Sequence, residues 1–133
     1  FYLPPERKTA QRLAEPGGNV DAERFFTDVL SPLSRGETVH YRPYHCHSNA
    51  LGEEIAVPPA PLAVVEGVYS LRPELQPYYH VKCFLDVPWS TRRARLLGRN
   101  GPDGLERFEK LWIPLEDAYF RAFPIRECCD VVL

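Results

Sequence analysis

LAVVEGVYS, residues 62–70, is the stretch whose reading decides the fold. Four apolar residues, Leu62 to Val65, run straight into Glu66 and Gly67. The run is short, β-branched at Val64 and Val65, and preceded by the breakers Pro58, Pro59 and Pro61, a pattern that predicts an interior strand rather than a helix. A charge does not belong inside such a strand. It does belong at the carboxyl end of a strand in an open α/β sheet, where ligands bind in the crevice and a carboxylate can hold a metal ion.

Working outward, HVKCFLDV (80–87) predicts a second buried strand, with Cys83 inside it, ending at Asp86 and broken by Pro88. CDVVL (129–133) predicts a last one. Between them, STRRARLLGR (90–99) reads as a helix with Ser90 as its cap. In GLERFEKLWIPLEDAYFRAF (104–123), Leu105, Phe108, Trp112, Leu115 and Tyr119 recur every three or four residues. That spacing gives a long helix with one face on the sheet, and Pro114 is expected to kink it because its ring removes a backbone donor.

Towards the amino terminus, residues 1–20 carry Pro4, Pro5, Pro16, Gly17 and Gly18 with scattered charge, which predicts a mobile loop. Asp21 is a good cap for a helix carrying Phe25, Val29 and Leu33, closed by Pro32 and Gly36. Residues 37–57 read as short strands or loop, and LRPELQPYY (71–79) as a turn or a single helical turn. Strands alternating with helices point to a parallel sheet.

With 133 residues, 44% hydrophobic and 26% charged, the chain fits one globular domain. A formal charge of -2 provides no basic field for nucleic acid. No apolar run approaches the roughly 18 residues needed to span a bilayer, and no signal-peptide pattern opens the chain, so a cytoplasmic protein is expected. Cys46, Cys83, Cys128 and Cys129 lack the spacing of a disulfide framework and read as reduced thiols. Taken with His40, His45 and His47 they contain zinc-ligand types, but no paired CxxC or HxxxH exists.

Arg92, Arg95 and Arg99 are spaced three and four apart, which places three guanidinium groups on one helix face. Such a row is either a solvated charged face or an anion clamp able to neutralise a phosphoryl group in transfer.

PGGNVDAERF, YRPY, VVEGVYS, FLDV, RRARLLGRNG, LERF and WIPLEDAYF, in this order and at these distances, resemble the carboxyl-terminal two thirds of a uridine-kinase-like P-loop kinase. The resemblance covers essentially the whole chain and implies an α/β fold with a parallel sheet flanked by helices. It assigns residues 1–60 to substrate binding, and residues 61–133 to the Walker B strand, lid helix and terminal helix and strand. Mg2+ and ATP are the implied cofactors, with Glu66 as the metal-holding acid. Arg95 and Arg99 match the lid arginines, with Arg107 assisting. Asp21 matches an acid that binds sugar hydroxyls, although its role as helix cap explains it equally well. Tyr44, Cys46, His47 and Asn49 fall where the family lines its base pocket, and Tyr2 belongs to the Phe-Tyr pair that follows the family's catalytic aspartate. His45 stands where an acid follows the tyrosine in relatives, which leaves the nucleoside undetermined.

GxxxxGK[ST] is absent from the chain, and with it the phosphate-cradling loop. The fold implied is therefore incomplete, lacking the phosphate-loop strand and its neighbour. In such a sheet the missing strand lies between the Glu66 strand and HVKCFLDV, and its removal leaves a gap of unpaired backbone. The missing segment is expected upstream of Phe1 or in another chain. The function implied is phosphorylation of the primary hydroxyl of uridine or cytidine. Rivals are a non-catalytic nucleotide-binding or regulatory domain of the same shape, and a kinase of pantothenate or a sugar phosphate. Homo-oligomers are common in such kinases, though no residue here argues for one.

Overall fold

The computed structural model describes all 133 residues, Phe1 to Leu133, in two compact units, Phe1–Tyr78 and Tyr79–Leu133.

In the first unit the amino-terminal stretch is not the bare loop that its prolines and glycines predict. Leu3 is fully buried, its N–H donates to the Asn19 carbonyl at 3.1 Å, and Tyr2 bridges Val20 in antiparallel fashion. A 3-10 turn, Pro5–Arg7, leads to helix α1 (Ala10–Ala14), whose cap is the Thr9 hydroxyl accepting from the Arg12 N–H at 3.1 Å. Gly18 closes this segment because a Cβ there would lie 1.9 Å from the Arg12 carbonyl oxygen.

Asp21 caps helix α2 (Ala22–Phe25) as expected. The helical path then widens into a π turn at Phe26–Leu30 and continues as α3 (Ser31–Ser34). Pro32 does not end the helix. The wider turn before it accommodates a residue with no N–H to donate, and the chain leaves helix at Gly36, in the left-handed region at φ 69°. Two antiparallel pairs follow, one nested within the other. Strand β1 (Val39–Tyr41) pairs with β4 (Ile55–Val57), and β2 (Tyr44–His45) pairs with β3 (Ala50–Leu51). Leu3, Ala22, Leu30, Val39 and Leu75 form the buried core.

Residues 62–66 are a correction: they form no strand, and Leu62 and Val64 are 77% and 82% exposed. Their backbone makes no hydrogen bond to the rest of the chain. Apolar patterning states what a segment does beside a neighbour; without one, its N–H and C=O groups turn to water. Residues 76–78 form the expected single helical turn.

In the second unit, β5 (Cys83–Phe84) pairs in parallel with β6 (Val131–Val132). The ladder is extended by the Leu133 N–H to the Phe84 carbonyl and the Asp86 N–H to the Leu133 carbonyl. This is the molecule's one parallel pair; its sheets hold two strands each, in a mixed α/β arrangement, rather than one continuous parallel sheet. The strand expected over 80–87 shrinks to two residues, and Cys83, Val81 and Leu85 are exposed instead of buried. Helix α4 (Trp89–Arg107) is preceded by Pro88 at the cap position, so Ser90 lies inside the helix instead of capping it. The path breaks at Gly101, in the left-handed region at φ 69°. A π turn at Phe108–Trp112 then leads into α5 (Ile113–Ala122). Pro114, expected to kink this helix, follows a π turn as Pro32 does, and the flanking Trp112 and Ile113 keep helical dihedrals. Tyr119 is fully buried among Phe120 and Phe123, and Phe120 sets its ring edge-on to Phe84 at 5.6 Å, which docks α5 on β5. No helix is long and apolar enough to cross a membrane.

Candidate functional site

The first unit holds a cleft of about 440 Å3, within the usual range for small-molecule sites. Asp21 is its central charge. The residue is only 1% exposed and each of its side-chain oxygens has a partner: one accepts from the Arg24 N–H at 3.3 Å, and the other from Arg7 Nη1 at 2.6 Å. Capping and cleft lining are thus one geometry, because the helix start that needs the carboxylate also opens on the cleft. The Arg24 guanidinium sits 4.3 Å from the Phe1 ring centre and donates from Nη1 to the Arg42 carbonyl at 2.8 Å.

Tyr44 and Asn49 line the same cleft from the β2–β3 hairpin, and Tyr2 lines it from the amino-terminal segment. The Tyr44 hydroxyl donates to Asn49 Oδ1 at 3.0 Å. Asn49 adopts φ 51°, the left-handed conformation that asparagine tolerates better than most residues, and this turn carries its side chain to the tyrosine. Loss of hydration, reinforced by the negative charges of Cys46 and Glu6, pushes the Tyr44 phenol up. Burial likewise pushes Tyr2 up, with Cys46 and Glu66 adding to it.

Tyr2, Asp21, Tyr44 and Asn49, four of the residues to which the resemblance gives a substrate role, line one cleft. Cys46 is outside the lining. His47 is exposed and makes no hydrogen bond. Glu66 is exposed with neither hydrogen bond nor ion pair, and its charge reaches Tyr2. Arg7, Arg24 and Arg42 also line the cleft, and sequence reasoning assigned none of them. Arg24 was legible as the residue three after a capping acid; Arg7 and Arg42 enter through loop and hairpin contacts that no spacing rule reports.

In the second unit the arginine row divides. Arg92 is paired with Glu116, and the neighbouring Arg93 with Glu109 at 2.8 Å. Arg95, Arg99 and Arg107 are exposed and have no carboxylate within ion-pair distance; Arg99 lies 5.9 Å from the Phe108 ring centre. No group of three or more His, Cys, Asp or Glu side chains is arranged to hold a metal ion. No protein-family model matches the chain.

Proposed function

We propose that this chain provides the acceptor-binding part and the lid of an ATP-dependent phosphotransferase that phosphorylates the primary hydroxyl of a nucleoside, uridine or cytidine. The observation that carries this reading is the cleft itself, in which a buried carboxylate stands beside Tyr2, Tyr44 and Asn49. A carboxylate accepts hydroxyl hydrogen bonds from a sugar, a tyrosine ring stacks on a base, and a carboxamide pairs with its edge. Glu66, exposed and free of partners, suits Mg2+, which takes one or two carboxylates and completes its shell with water and phosphate oxygens. When bound, the ion would neutralise phosphate charge. Arg95, Arg99 and Arg107 would stabilise charge on the transferring group, a role in which one arginine contributes on the order of 10³-fold.

A second reading is a binding domain without catalysis, supported by a cleft lined wholly by residues of the first unit. Incubating the complete gene product with Mg-ATP and a nucleoside panel separates the two. Phosphorylated nucleoside, lost in Arg95→Ala, supports the kinase; saturable binding with no transfer supports the binding domain.

A further inference from the structure

Recognition of hydroxyls and a base leaves Arg42 unused. We propose that the ligand of the Asp21 cleft carries one anionic group, a carboxylate or a phosphate monoester, seated on Arg42. This rests on the small-molecule reading of the cleft and replaces uncharged uridine or cytidine with an anionic relative.

Of the three cleft arginines, two are answered within the protein. Arg7 pairs with Asp21 at 2.6 Å, and Arg24 has Asp21 and Asp28 each at 3.7 Å. Arg42 has no carboxylate within ion-pair distance; its one hydrogen bond runs from Nε to the Gly52 carbonyl at 2.7 Å, across the hairpin. That contact spends one donor and leaves both terminal NH2 groups, the planar fork that suits carboxylate and phosphate oxygens, without a protein acceptor.

The arginine is also built into place. Arg24 holds its main-chain carbonyl, and the Gly52 N–H donates to the Pro43 carbonyl at 2.7 Å. Other donors are in surplus nearby. Asn49 spends its carbonyl oxygen on Tyr44 and keeps its amide NH2, while Arg24 Nη2 is buried with no acceptor. Against these stands Glu6, which also lines the cleft, is exposed and has no partner. Its charge opposes a second anionic group, so the ligand carries one.

The test is equilibrium binding of three probes: uridine, 6-carboxyuridine and uridine 3′-phosphate, the last two keeping the primary hydroxyl free. We expect one anionic probe to bind at least about tenfold tighter than uridine, an advantage that shrinks with added salt. Which probe gains distinguishes carboxylate from phosphate. Arg42→Ala should erase the advantage, so that the anionic probe and uridine bind the variant equally, and Arg42→Lys, which keeps the charge but not the fork, should retain part of it. Equal affinity for all three probes, an advantage that survives Arg42→Ala, or no binding of any probe overturns the proposal. Anion preference without phosphoryl transfer keeps this site and removes the kinase reading; transfer to uridine without anion preference does the reverse.

Discussion

Arg7 Nη1 lies 2.6 Å from the Asp21 carboxylate, and the two differ sharply in exposure: the arginine side chain is 49% accessible and the aspartate 2%. The cation can move into water, whereas the anion stays in the cleft. A ligand hydroxyl reaching Asp21 must share the carboxylate with Arg7 or displace it.

That asymmetry sets the first expectation. Asp21→Ala removes both the helix cap and the buried partner of two arginines, and should cost about 2 to 3 kcal/mol in urea denaturation. Arg7→Ala should cost under about 1 kcal/mol, because its side chain is half in water. Equal costs would show that the pair is not divided in this way.

The arginines of α4 should separate by partner. Arg92→Ala breaks the pair with the mostly buried Glu116 and should lower stability by about 1 kcal/mol. Arg95→Ala should change stability by less than about 0.5 kcal/mol and lower phosphoryl transfer by the complete protein on the order of 10³-fold. Denaturation curves and turnover measured on both variants check the split.

How much of this was legible in the sequence follows from which forces are local. The Asp21 cap, the single turn near Gln76 and the amphipathic run from Leu105 to Tyr119 rest on contacts within a few residues, and they stand in the structure; the Val131–Val132 strand stands because Cys83–Phe84 supplies its partner. Residues 62–66 were misjudged because an apolar, β-branched run specifies a strand only when another strand supplies its hydrogen bonds. The two prolines were misjudged because a π turn, invisible to a period of 3.6, absorbs each of them. In the cleft, Asp21, Tyr44, Asn49 and Tyr2 were found from motif order, whereas Arg7 and Arg42 depend on tertiary approach that spacing does not encode.

Residues 62–66 give a further expectation. Val64→Ser should alter the stability of this chain by less than about 0.5 kcal/mol, since the side chain is already in water. A buried strand valine would lose well over 1 kcal/mol. Thermal unfolding of the variant distinguishes the two cases.

Tyr79 supplies the pH dependence. Its hydroxyl is buried without a partner, and burial pushes the phenol up to about 12 from an ordinary value of 10. The unfolded chain therefore releases this proton first, so stability falls as pH rises from about 10 to about 12. Tyr79→Phe should remove that part of the decline, and it should remove a phase near pH 12 from the tyrosinate absorbance titration. An unchanged alkaline profile would contradict the assignment.

The central claim is that the cleft around Asp21 receives a hydroxylated ligand. Its most direct measurement is an NMR titration of the chain with uridine and its anionic relatives, wild type against Asp21→Asn, a substitution that keeps a good helix cap while removing the carboxylate charge. Saturable shifts are expected at Tyr2, Tyr44 and Asn49, weakened at least about tenfold in Asp21→Asn with the fold intact. Shifts confined to other residues, or an affinity indifferent to Asp21→Asn, would contradict it.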